Sequence, residues 1–248
     1  MPTLVLVPGI QGRWEYMRRT VDQLSAYFDV LTFSLRGNTL DDYARQVSRA
    51  LDERHIDRAV VCGVSFGGLV ALRFAASSPK RTIALVLAST PAPQLDLRPR
   101  HRLYARLPWI LGPLFLVETP WRLREEISSA IPDWRSRWAF NFAALRTFLT
   151  APLPLSSMAA RARLIERLDA RDDCRRITAP TLVVNGEPQL DHVVSAERSS
   201  EYLSLIGGAR GAVLERTGHL GTVTRPDAFA AVVRDFVDRA ASTPTRVA

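Results

Sequence analysis

Of the 33 basic side chains in this 248-residue chain only one, Lys80, is a lysine. A bias so extreme reads as base composition rather than as selection for guanidinium chemistry at each position. Cysteine is scarce as well. Cys62 and Cys174 are the only two, too few for a disulfide framework or a cysteine zinc site, so free thiols and a reducing, cytoplasmic setting are expected. No long apolar run occurs. The longest nearly apolar stretch, Leu107 to Val117, has 11 residues and includes two prolines and a glycine, whereas a membrane-spanning helix needs roughly 20 apolar residues. No charged segment and cleavage site open the chain, so no signal peptide is expected. Internal repeats and low-complexity tracts are also missing, which argues against repeat architectures and disordered arrays.

What is present is an ordinary globular composition, 47% apolar and 23% charged, at a length that suits one large domain or one domain carrying an insertion. Short, almost continuously apolar runs occur at Thr3–Val7, Asp29–Ser34, Ala59–Val64, Ile83–Ala88, Thr181–Asn185 and Ala212–Glu215. Such runs suit strands buried on both faces. Helix-like stretches alternate with them, at Trp14–Phe28 and Leu40–His55. Near the end, Phe229, Val232, Val233, Phe236 and Val237 form an apolar stripe at helical spacing. The alternation predicts an α/β fold around a parallel sheet. From about Pro91 to Arg176 no strand signal appears, yet nine of the 20 aromatics lie there, Trp109, Trp121, Trp134 and Trp138 among them. Trp121–Ile131 and Ser136–Leu149 read as helices. The expectation is a core of residues 1–90 and 177–248 interrupted by a helical cap, 91–176.

Four motifs carry chemistry. Gly63-Val64-Ser65-Phe66-Gly67-Gly68 follows a predicted strand and opens a helix-like stretch, Leu69–Ala76. This is the strand–turn–helix setting of a nucleophile elbow, where a sharp turn lifts the serine and close backbone approach excludes side chains on either side. Pro8-Gly9-Ile10-Gln11-Gly12 follows the first strand and can present backbone N–H groups at the carboxyl ends of the strands. Among the four histidines (His55, His101, His192 and His219) only His219 sits in a glycine-flanked loop after a strand, Gly218-His219-Leu220-Gly221. Finally, Asn185–Val194 contains two carboxylates, Glu187 and Asp191, either of which could orient the histidine; His192 reads as a surface residue.

The order Ser65, Asp191, His219 resembles that of the α/β-hydrolase superfamily. The likeness covers nearly the whole chain: Pro8–Gly12, Ser34-Leu35-Arg36-Gly37, the elbow, Gly186–Val194 and the Gly218-His219 turn. It departs from the superfamily's usual pattern in three ways. The two strands that usually precede Thr3–Val7 are not found, which predicts a doubly wound, mostly parallel sheet of six strands. Pro8-Gly9 stands where His-Gly is common. Asp191 follows Gly186 by five residues rather than three. Val193-Val194 matches the pattern usual downstream of the acid, however, and this favours Asp191 over Glu187.

The resemblance implies acyl transfer to water without metal or organic cofactor. Ser65 would attack a carbonyl, His219 would shuttle the proton, Asp191 would orient the imidazole, and the N–H groups of Ile10 and Phe66 would hold the oxyanion. Serine at the elbow points to a carboxylic ester or thioester. A carbon–carbon bond hydrolase of the ring-cleavage-product type and a non-catalytic receptor on the same fold are the alternatives. Gln11, Trp138, Phe142 and Leu220 are the candidate lining of an apolar acyl pocket. The net charge of +8 is concentrated in residues 93–178, where 15 basic groups face nine acidic ones. That surface is either simply solvated or suited to an anionic or carrier-linked small-molecule ester. No nucleic-acid partner is expected.

Overall fold

The apolar runs become strands because each can bury both faces only inside a sheet covered by helices on two sides. The computed structural model describes residues 1–95, 99–194 and 196–242; the first residues after the fourth strand's exit loop (96–98), 195 and the predicted core's last six positions lie outside that description. Six strands are formed: β1 (Thr3–Val7), β2 (Asp29–Thr32), β3 (Ala59–Val64), β4 (Thr82–Ala88), β5 (Thr181–Gly186) and β6 (Arg210–Leu214). They make one sheet in the order β2-β1-β3-β4-β5-β6, and every neighbouring pair is parallel. Strand β3, buried at all six positions, lies at the point where the strand order reverses, between β1 and β4. In such a sheet the loops at the carboxyl ends of the strands beside that reversal form the binding crevice.

Two apolar layers sandwich the sheet. On one face α2 (Leu40–Asp52) and α3 (Phe66–Ser77) pack with Val5, Val61, Leu85 and Val183. On the other, α1 (Arg18–Leu24) and the last described helix, Pro226–Ser242, bring Leu24, Phe229, Val233 and Phe236 against Leu4, Val60, Cys62 and Val184. Helix α3 is buried at ten of its 12 positions, which explains its lack of a polar face. Both cysteines are buried. Burial pushes both thiols up, that of Cys174 to about 12, so neither is a ready nucleophile.

Between β4 and β5 the described residues hold helices only: α4 (Pro99–Arg106), α5 (Pro108–Ala130), α6 (Trp134–Thr150), α7 (Leu155–Arg167) and α8 (Arg171–Arg175), with one isolated bridge between Gln94 and Asp169. The end of this segment returns to the sheet, since Ile165, Ala170, Cys174 and Ile177 join the same apolar layer as α3. The predicted central strands match closely. The two edge strands differ from expectation by up to two residues at their ends, because an edge strand is paired on one side only and ends where its neighbour's ladder ends. Lys80 is exposed on a 3₁₀ turn, Pro79–Arg81, that leads into the amino end of β4.

Candidate active site

The turn after β3 sets Ser65 at φ 53° and ψ −122°, a region that non-glycine residues rarely occupy, at a cost of about 1–3 kcal/mol. Surrounding bonds hold it there. Ser65 N donates to the Ala88 carbonyl at 2.8 Å and Gly68 N donates to the Ser65 carbonyl at 2.8 Å. The flanking glycines have a steric reason. A Cβ on Gly67 would collide with the carbonyls of Val7 and Pro8, and one on Gly63 with the carbonyl of Gly67. As the first residue of α3, Phe66 has an N–H with no acceptor inside the helix, and its ring is fixed edge-on to Tyr43 at 5.5 Å. The Pro8–Gly12 turn lies alongside: a Cβ on Gly9 would touch Ser65 Cβ at 3.4 Å and meet Gln11 Oε1 at 2.8 Å. Ile10 and Gln11 therefore stand beside the serine.

The loops after β5 and β6 meet over the same edge. Gly186 and Gly218 are in backbone contact, and a Cβ on Gly218 would strike the Leu190 carbonyl and Asp191 N. This interlock brings His219 Nε2 to 3.2 Å from Ser65 Oγ. Behind the ring, His219 Nδ1 lies 3.5 Å from Asp191 Oδ2, with side-chain exposures of 12% and 3%. That is ion-pair range but long for a hydrogen bond, and buried Nδ1 has no hydrogen-bond partner among the described residues. Apo sites commonly show such loose contacts, which tighten with substrate. Asp191 Oδ1 accepts from Val193 N at 2.9 Å and Val194 N at 2.8 Å, leaving Oδ2 free to face the ring. Burial pushes the Asp191 carboxyl up, but His219 and the two amides outweigh it and hold it below its usual value. Glu187 points elsewhere: Oε1 accepts from Arg216 N at 2.7 Å and Oε2 from Gln189 Nε2 at 2.5 Å. His192 is exposed at the rim, 3.9 Å from Glu125.

The aromatics of the helices between β4 and β5 do not form the apolar pocket that sequence suggests. Trp138 and Phe142 are 70% and 69% exposed, and α6 buries no residue. Its apolar positions Trp134, Trp138, Phe142, Leu145 and Leu149 recur at helical spacing but are exposed; among the described residues the helix rests mainly on the 3₁₀ turn Trp14–Met17. Leu220 is half-buried next to His219. A shallow groove of about 220 Å³ lies near the acid loop instead, lined by Trp121, Arg122, Arg124, Glu125 and His192.

Two buried charges beside the candidate site escape sequence reasoning. Glu126, 1% exposed on α5, accepts bonds from the turn around His219. Arg161, 3% exposed on α7, donates from Nη1 to the Ile10 carbonyl at 2.9 Å and from Nη2 to the Leu35 carbonyl at 3.1 Å. Its guanidinium fills the place of a side chain at Gly12, whose φ is +65°. Each lies four positions before a buried apolar residue of the same helix face, Ala130 and Ile165, a spacing too common to single either out in the sequence.

Comparison with known proteins agrees with this fold. Residues 4–232 match the alpha/beta hydrolase family. A pimeloyl-[acyl-carrier protein] methyl ester esterase of Vibrio campbellii is 26% identical over 95% of this chain and 94% of its own. A 3-oxoadipate enol-lactonase of Acinetobacter baylyi is 21% identical over 91% of this chain and 84% of its own. Among solved structures, the enol-lactonase of Burkholderia xenovorans superposes with a TM-score of 0.78 at 24% identity, covering 96% of this chain and 91% of that one. A match over nearly the whole length, on a six-stranded parallel sheet with a helical insertion after β4, means that the chain belongs to the alpha/beta hydrolase family.

Proposed function

We propose that this protein is a serine hydrolase that cleaves a carboxylic ester through an acyl-enzyme. Ser65 Oγ attacks the carbonyl carbon while His219 Nε2 takes its proton, and the imidazolium returns that proton to the leaving alcohol. Asp191 stabilises the imidazolium. The amides of Ile10 and Phe66 receive the oxyanion, each such donor being worth about 3–4 kcal/mol in the transition state. Water then repeats the sequence on the acyl-enzyme. The observation that carries this reading is the 3.2 Å contact between His219 Nε2 and Ser65 Oγ on a strained elbow. The helices between residues 91 and 176 act as the cap. Both named relatives act on ester bonds, which favours this reading over carbon–carbon hydrolysis. The test is hydrolysis of p-nitrophenyl butyrate by wild type and by Ser65→Ala. Loss of several orders of magnitude in a folded variant supports the reading, and retained activity sinks it.

A carrier-linked or otherwise anionic substrate is the narrower version. It is favoured by the basic excess of residues 93–178, by Arg122 and Arg124 in the groove beside the acid loop, and by the carrier-linked substrate that the Vibrio campbellii protein's name gives. Exposed charges are screened over about 10 Å at 0.1 M salt. KM for an acyl-carrier-linked ester should therefore rise steeply with salt while KM for a neutral ester holds; equal salt responses would remove the idea.

A further inference from the structure

Glu126 lies four residues before the end of α5, and all its hydrogen bonds run to one place. Oε1 accepts from Gly218 N at 2.8 Å, from Leu220 N at 2.5 Å and from Thr217 Oγ1 at 3.1 Å. The donors flank His219 on both sides. Thr217 Oγ1 is tied in turn to Thr224 Oγ1 at 2.8 Å, so the whole turn closes around one carboxylate oxygen. The other oxygen, Oε2, is buried without a hydrogen-bond partner among the described residues. Burial pushes the Glu126 carboxyl up against the pull of Leu220, Gly218, Thr217 and His219. A buried carboxylate with one empty oxygen is a poor way to join a helix to a core, because desolvation offsets much of what its bonds contribute. An apolar side chain would join α5 to the core at less cost. It could not gather two amides on either side of a histidine. The neighbouring Glu125 shows the contrast, with its side chain 64% exposed.

We propose that Glu126 is the positioning residue of the base turn: from the cap, it fixes the backbone at 217–220 so that His219 spans Ser65 and Asp191. Completion of the triad then depends on where α5 sits, and the cap does more than cover the substrate. This inference rests on the Ser65–His219–Asp191 reading above.

The test uses the full chain, with kcat and KM on p-nitrophenyl butyrate, the rate of Ser65 labelling by a fluorophosphonate, and the melting temperature. Glu126→Leu removes the acceptor; Glu126→Gln keeps an acceptor oxygen in place. The expected result is a ten- to hundredfold fall in kcat and in labelling rate for the leucine variant, KM within twofold, and recovery to within about threefold of wild type for glutamine. Wild-type kcat in Glu126→Leu, a change confined to KM, or a glutamine variant as impaired as the leucine one overturns the proposal. If the leucine variant does not fold, Glu126→Asp replaces it: one methylene shorter, it should lose at least fivefold in kcat with its fold intact, and an unchanged kcat is the overturning result. Ser65→Ala runs in parallel. If Ser65→Ala still hydrolyses the ester, the triad reading fails. If Ser65→Ala is inactive and the Glu126 variants match wild type, only the present inference fails.

Discussion

Two carboxylates in the loop after β5 face in different directions, and their variants separate them. Asp191→Asn should lower turnover by about three to four orders of magnitude, through the wrong His219 tautomer, with the fold kept. Glu187→Gln, which alters only the support of Arg216 N and Gln189, should stay within threefold of wild type. Steady-state kinetics on one ester checks both, and the reverse ranking would move the acid to Glu187. The pH behaviour of Asp191 differs in sign from that of Glu126. The Asp191 carboxyl is held below 3.8 in the folded protein, so its stabilisation is present above that value and is lost as pH falls through the folded one. Glu126 is raised above 4.5, so its favourable protonated form prevails below that value and is lost as pH rises through the folded one. Melting curves at pH 4 and pH 7 should show Asp191→Asn losing more relative to wild type at pH 7, and Glu126→Gln gaining relative to wild type there. Ser65 and His219 were legible because glycine marks the close contacts around them. Asp191 was legible through Val193-Val194, the two residues whose amides its Oδ1 accepts. Glu126 was not, since a Glu-Glu pair beside arginines looks the same in sequence whether solvated or buried.

At the scale of elements, the site is an interlock of two loops rather than a set of side chains on rigid strands. Gly218→Ala should be far more damaging than its size suggests, because the new methyl would enter the backbone at Leu190 and Asp191. We expect a lower melting temperature and at least a tenfold loss of kcat, whereas Gly207→Ala, with open space around it, should retain wild-type values; equal behaviour would contradict the interlock. Elements buried on both sides were the readable ones. Strand β3 and helix α3 announce themselves through unbroken apolarity. Helix α6 misled for the opposite reason: its aromatics suggest a pocket lining, but an apolar stripe is enclosed only if another element faces it, and sequence periodicity does not contain that partner.

Taken whole, the molecule ties two loops of the candidate site to the helical segment between β4 and β5, each by one buried charge: Glu126 to the turn of His219, and Arg161 to the turn of Ile10. Arg161's three partners, the carbonyls of Ile10 and Leu35 and the Tyr43 hydroxyl, are neutral. Arg161→Met should leave two buried carbonyls unpaired at about 1–3 kcal/mol each, lowering the melting temperature and kcat together. A variant with unchanged stability would show that water takes the guanidinium's place. Such long-range ties, spanning 92 residues from Glu126 to Gly218 and 151 from Ile10 to Arg161, leave no local pattern in the sequence, which is why a helical segment after β4 could be expected but its attachment could not.

The solitary Lys80 has a practical consequence. It enters β4 from the amino edge of a wholly parallel sheet, while Ser65, Asp191 and His219 all follow carboxyl ends. Amine-reactive coupling to beads or a sensor chip thus has a single side-chain target on the far side of the sheet, and a protein tethered there presents the edge that carries Ser65, Asp191 and His219 to the solution.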